Sequence, residues 1–191
     1  MSRIIGCRDL HIAELARDNS GAKPGYKKPV RVPSLISLSI SDAVQQSNFY
    51  SDDIVEQTFS KTASKEVTIE LGYLSNELEV FITGKTTDSA GVHLQKSSDT
   101  PKEIALLFRA PKSKGGDFRY VCLYKGTLSR TESEYATQED SVESSNITLT
   151  GTFIPLISTD VMSAVIDSED EKASDVIDTW FDEVYGSELI S

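Results

Sequence analysis

The chain has 191 residues, 38% of them hydrophobic and 26% charged, and its 30 acidic residues against 19 basic ones leave a formal charge of −11. A chain of this length buries close to ~70% of its unfolded surface, so it needs neither a disulfide nor a metal to fold. The charge excludes a protein that grips nucleic acid, because tight binding to a phosphate backbone rests on Lys and Arg displacing counterions.

The N-terminal stretch Met1–Arg17 is broken by Arg3, Arg8, Asp9 and Glu14. It lacks the apolar stretch and small-residue cleavage site of a signal peptide. No run approaches the ~18 apolar residues of a membrane helix. These readings point to a protein made and folded in a cytoplasm. Cys7 and Cys122 lie far apart and suggest no secreted disulfide framework. Residues 10–15 read equally as an early strand or a short helix. Residues 17–29 hold Asn19, Gly21, Pro24, Gly25 and Pro29, which is turn chemistry.

From Leu35 to Ser41 the apolar Ile36, Leu38 and Ile40 alternate with Ser37, Ser39 and Ser41, the mark of a strand with one dry face. Asp42 to Ser64 is polar and shows no clear period, so it is expected to be a long loop, a kind of segment that is usually functional. Alternation returns at Lys65–Leu71, with Val67, Ile69 and Leu71 inward and Glu66, Thr68 and Glu70 outward. A short helix is expected over 75–83. Ser75 is a good N-cap, Glu77 and Glu79 sit at the positive end of the helix dipole, and Gly84 suits the left-handed stop.

Further strands are expected at Glu103–Arg109, Phe118–Leu128 and Asn146–Ile154. The second is apolar on both faces and should be buried on both. Residues 112–117 are hairpin chemistry. The acidic run Asp167–Asp175 reads as a solvated linker or turn. After it, Ser174 is expected to cap an amphipathic helix over 174–185. Val176, Ile177, Trp180, Phe181 and Val184 form its apolar stripe. That stripe can dock on its own domain or on a neighbouring subunit. The fold class is therefore mainly β with flanking α: an antiparallel β-sandwich or barrel with a packed helix and a C-terminal helix. Residues 1–155 form the β-domain and 156–191 an acidic arm.

Catalytic motifs are missing from the sequence. His11 and His93 stand alone and the cysteines are unpaired, which does not make a zinc site. No GxSxG, Walker-type loop or GxGxxG occurs. Asp52/Asp53 and Glu132/Glu134 are possible acid pairs, but a solvated face or loop is the plainer reading. Asp167, Glu169, Asp170 and Glu171 lack the spacing and central glycine of a calcium loop. No catalytic, cofactor or metal residues are assigned, and the chain reads as a scaffold, not an enzyme.

Several segments taken in order resemble one family. They are Gly6–Cys7–Arg8–Asp9–Leu10–His11–Ile12–Ala13, Tyr50–Ser51–Asp52–Asp53, and Ile69–Glu70–Leu71–Gly72–Tyr73–Leu74. The longest runs from Ala105–Leu106–Leu107–Phe108–Arg109 through Phe118–Arg119–Tyr120–Val121–Cys122–Leu123–Tyr124–Lys125–Gly126. Glu134–Tyr135, Leu149–Thr150–Gly151–Thr152–Phe153 and Trp180–Phe181–Asp182–Glu183–Val184–Tyr185 complete the set. Together they resemble the major tail (tail-tube) proteins of phages with long non-contractile tails.

The resemblance implies two packed antiparallel sheets with a flanking helix. It also implies self-assembly into rings, usually of six subunits, that stack into a hollow tube through which DNA reaches the host. The implied partners are the chain itself and the tape-measure, tail-tip and tail-terminator proteins. DNA passes without tight binding, and there is no membrane insertion. The implied place is the virion tail, assembled in the bacterial host cytoplasm. On this reading Glu66 and Glu70 are candidate lumen-facing acids, and Asn48, Tyr50, Asp52 and Asp53 mark a candidate ring-stacking loop. A non-enzymatic β-sandwich that binds or decorates a virion surface is the alternative.

Overall fold

Period-2 stretches become strands wherever a neighbour can pair with them. The computed structural model describes residues 2–51, 54–113, 115–130 and 146–190, with the backbone alone at 47–51 and 54–59. Along these residues the chain runs β1 (Arg8–Arg17), β2 (Gly25–Tyr26), β3 (Val30–Arg31), β4 (Leu35–Ser51), β5 (Ile54–Leu71), α1 (Asn76–Thr83), β6 (Thr86–Thr87), β7 (His93–Leu94), β8 (Ile104–Pro111), β9 (Phe118–Arg130), β10 (Ile147–Ile154), β11 (Ser163–Asp167), α2 (Ser174–Ile177) and β12 (Glu188–Leu189). One large sheet holds the order β12-β2-β1-β8-β9-β10-β5-β4, with β3 added on β1 and β11 on β9. Apart from the parallel β12–β2 contact, its pairings are antiparallel.

The centre is β8 and β9, which are apolar on both faces, as the sequence predicts for β9. Leu106, Phe108, Val121 and Leu123 face one core with Leu10 and Ile12 of β1, Val67, Ile69 and Leu71 of β5, and Leu149 and Phe153 of β10. Leu107, Tyr120, Cys122 and Tyr124 face a second core with Tyr26, Leu156, Trp180 and Val184. The sheet bends so that β4 and β5 cover the first face in sandwich fashion, while C-terminal residues cover the second. Each fully buried Leu, Ile or Phe contributes about 1.5–3 kcal/mol. Gly126 pairs with Phe153 across the strands, and a side chain there would collide with the Phe153 ring.

Helix α1 forms as expected. Ser75 caps it by accepting from the Leu78 backbone N–H. Gly84 ends it at φ 72° and donates its N–H to the Val80 carbonyl. Glu79 then accepts from Lys85 at 2.6 Å and Arg130 at 3.1 Å. The ambiguous residues 10–15 lie in a strand, because β8 offers β1 a full ladder on one side.

Two expectations are corrected. Residues 42–64 are not a loop: they are the distal halves of β4 and β5, paired with each other out to Ser51↔Ile54. Their polar character hid the strand for a physical reason. The core beneath ends where Lys65 pairs with Asp42 at 2.6 Å, and beyond that point no face needs apolar residues. Bulges between Ala43/Val44 and Phe49/Tyr50 also swap the faces and erase the period.

The helix expected over 174–185 is also corrected. Only Ser174–Ile177 is helical, and its N-cap is Ala173, with no side-chain capping bond. Successive turns follow, closed by Trp180 N–H to the Ile177 carbonyl and Asp182 N–H to the Thr179 carbonyl. Turns of this kind repeat every three to four residues, so they present the same stripe that a helix would. Of the two readings of the acidic run, the turn holds: Asp170 N–H bonds to the Asp167 carbonyl and Ala173 N–H to the Asp170 carbonyl, while Ser168 bonds back to Phe118.

Candidate assembly surface

The side of β4, β5, β10 and β9 that faces away from the core is built from small polar residues in register. Ser37 stands opposite Glu70, and Glu70 opposite Thr148. In the next row Ser39, Thr68, Thr150 and Ser129 line up, and then Ser41, Glu66, Thr152 and Thr127. The alternation seen in the sequence causes this. The residues between them (Leu38, Ile40, Val67, Ile69, Leu149 and Leu128) face the first core. The three rows hold hydroxyls and two carboxylates, with no Lys or Arg. Glu70 accepts from Ser37 Oγ at 3.0 Å and from Asn146 Nδ2 at 2.9 Å, which holds it flat along the rows.

At the end of the strand order, β4 pairs on one side only among the described residues, with β5. Its other backbone edge faces outward, an arrangement that invites pairing with another chain unless something covers it. Beyond Asp42 and Lys65 the β4–β5 hairpin pairs only with itself among the described residues. Asn48 and Tyr50 lie at its far end, on β4. Asp52 and Asp53 lie outside the described residues, as do Glu132 and Glu134.

The C-terminal stripe docks on its own sheet. Trp180 and Val184 are buried, and Val176, Ile177 and Phe181 pack against the same core. Trp180 meets Tyr120 edge-on at 5.9 Å, and Phe181 stacks on His11 at 4.5 Å. Tyr124 donates its hydroxyl to the Tyr185 carbonyl.

Charged clamps hold the margins. Arg119 grips Asp167 through two bonds of 2.8 Å, and the buried Lys112 reaches Asp167 and Glu169. The Arg119 guanidinium, with Lys112 beside it, holds the Asp167 carboxyl at about 2 against the opposing effect of burial. These contacts occupy Asp167 and Glu169, two of the carboxylates of the acidic run. A second clamp is buried. Asp18 accepts from Lys125 Nζ at 3.0 Å and from the backbone N–H groups of Ile157 and Ser158. Sequence reading missed this clamp because its partners lie more than a hundred residues apart.

Among the described residues no group of His, Cys, Asp or Glu is arranged to hold a metal ion. His11 is spent on the Phe181 stack and on the Asp9 carbonyl, and His93 on Thr87. Both cysteines are free, and burial pushes the Cys122 thiol well above its ordinary range. No described helix is long and apolar enough to cross a membrane.

No curated protein matches the chain. A model of the phage tail tube protein family matches residues 40–186, which takes in β5 to β11, the distal part of β4 and the C-terminal turns, but not β1 to β3. On that match the chain belongs to the phage tail tube protein family, a structural component of the virion tail.

Proposed function

We propose that the chain self-assembles into rings, six copies to a ring, that stack into the tube through which DNA leaves the virion. The observation that carries this is the three cation-free polar rows across β4, β5, β10 and β9, bounded by the edge of β4 that is unpaired among the described residues. An open sheet edge is a liability in a monomer and a joint in a ring, where closure removes it. Six copies with four strands each, spaced ~4.8 Å apart, close a barrel about 37 Å across before tilt widens it. Such a bore admits a duplex with room for side chains. A ring of six chains at −11 each carries roughly −66, which repels a phosphate backbone bearing one charge per ~1.7 Å of duplex.

Glu66 and Glu70 are the charges placed to face that DNA. The hairpin that carries Asn48 and Tyr50 is placed to reach the next ring. The remaining partners are the tape-measure, tail-tip and tail-terminator proteins at the tube's interior and ends, met in the bacterial cytoplasm during assembly. Like its family, the chain acts as structure and not as a catalyst.

Negative-stain microscopy of the purified protein at high concentration tests the reading. Rings or tubes are expected. Dispersed monomers at every concentration would instead favour a decoration module. A chain lacking residues 43–63 should stay folded and monomeric, and tubes formed by that deletion would remove the hairpin from stacking.

A further inference from the structure

We propose that the groove between the N-terminal segment and β4 receives the end of the β4–β5 hairpin from a second copy of the chain. This rests on the self-assembly reading and names the two surfaces that meet. The groove encloses about 480 Å³. Phe108, Ala110 and Val121 form its floor, with Ile4 on one wall and Ile36 and Ile40 on the other. Ile4 and Ile36 are each 50% exposed, although they stand over buried apolar residues. The groove stays open because β4 has no strand partner on this side among the described residues, while the bridge from Ile4 to Lys112 fixes the opposite wall.

Three observations select the occupant. The first is composition. The far end of the hairpin carries Phe49, Tyr50, Ile54 and Val55 in its sequence, which suits an apolar receptor. The second is charge. Arg8, Arg31 and Arg109 line the pocket beside the groove with Asp9 as the one carboxylate among its lining residues. The sequence between β4 and β5 is Asp52–Asp53, Glu56 follows, and no basic residue occurs among 48–56. In a chain at −11, a basic rim and an acidic tip are complementary surfaces.

The third is reach. Ile40 lies in the groove, and Tyr50 lies ten residues further along a paired strand, or about 33 Å away at ~3.3 Å per residue. The hairpin cannot bend back into its own groove, so only another copy can supply the tip. A contact between two different surfaces of one molecule is heterologous, and it propagates from copy to copy.

Cys7 lines the groove and is partly buried, whereas Cys122 is fully enclosed. This provides the test. Full-length Tyr50→Cys is assembled at high concentration, oxidised with copper phenanthroline and run on a non-reducing gel. A ladder of disulfide-linked dimers and higher species is expected, and it should vanish when Cys7→Ser is added. In parallel, Ile36→Lys alters an exposed position and should keep the circular dichroism of the folded chain while abolishing rings and tubes. Assembled wild-type protein whose Tyr50→Cys variant gives no ladder overturns the pairing. A ladder that survives Cys7→Ser, or Ile36→Lys protein that assembles normally, does the same. Wild-type protein that remains monomeric at every concentration overturns the self-assembly reading itself, and this inference with it.

Discussion

Replacing Asp18 with Ala probes the buried clamp most sharply. The Asp18 and Lys125 side chains are 4% and 7% exposed, so solvent cannot take over for a lost partner. The substitution leaves the Lys125 ammonium with Glu103 alone, at 3.6 Å, and strips the acceptor from two backbone N–H groups. Breaking one side of a buried ion pair costs about 3–5 kcal/mol. At about 2–4 °C per kcal/mol for a chain of this size, the melting point should fall by roughly 10 °C. Burial pushes the Asp18 carboxyl upward, but the bonds from Ile157, Lys125 and Ser158 outweigh it and hold the group below its ordinary value. A depressed carboxyl stabilises the fold above its unfolded pKa of about 3.9 and loses that contribution as pH falls through the folded value. Asp18→Ala should therefore lose stability at pH 7 and show a flatter acid limb. Adding Lys125→Met should restore most of the loss, since an apolar side chain replaces a stranded charge. Urea unfolding with matched m-values, followed by circular dichroism, measures each step. A cost under about 1 kcal/mol for Asp18→Ala would refute the clamp, because no buried pair would then have been broken.

Trp180→Ala should cost about 3–5 kcal/mol in the same assay, as deletion of a buried aromatic does. Trp180→Phe should cost far less, since the indole N–H is buried without an acceptor among the described residues. Burial chiefly, with Arg31 adding to it, lowers the pKa of His11 against the opposing pull of Asp9 and Asp182. The folded chain therefore binds that proton less readily than the unfolded one, and stability should decline as pH falls through about 6.5. His11→Phe keeps a ring on Phe181 and should flatten the change in urea midpoint between pH 7.5 and 5.5. Changing both Glu66 and Glu70 to Lys should slow DNA ejection from virions carrying the variant. Unchanged ejection would take those residues out of the bore.

Where a residue's face was tied to a core, the sequence was readable. Ile36 to Ser41 and Val67 to Leu71 alternate because one side of each strand is dry. The α1 helix was readable from Ser75 and Gly84 because both stops are local chemistry. The distal hairpin was not readable, because a strand paired only with its twin needs no apolar face and the bulges shift its period. The C-terminal turns misled in the opposite direction. Val176, Ile177, Trp180, Phe181 and Val184 keep helical spacing, yet burial against Tyr120 and Cys122 holds them without a continuous helix. β11 escaped notice because its five residues gain their order from β9 and not from any pattern of their own. The acids Glu66 and Glu70 were correctly read as outward-facing, but their place in a cation-free patch emerges only when four strands lie side by side.

That patch is the strongest argument against a decoration module. Solubility asks an exposed strand face to carry mixed charge, and Lys is the usual guard of such faces. Here Ser37, Ser39, Ser41, Thr68, Thr127, Ser129, Thr148, Thr150 and Thr152 occupy the outward positions instead. The Lys and Arg of the described residues lie outside these three rows, several of them at the groove rim. Short hydroxyl side chains take up little depth and attract no phosphate, so they cost a surface its grip on DNA without making it apolar. A binding surface gains nothing from that composition, because hot spots are built from Trp, Tyr and Arg. A wall along which a polyanion must slide gains both clearance and low friction. On the proposed reading the same strands satisfy two demands at once, apolar residues inward for the fold and hydroxyls, with Glu66 and Glu70 among them, outward for the passage.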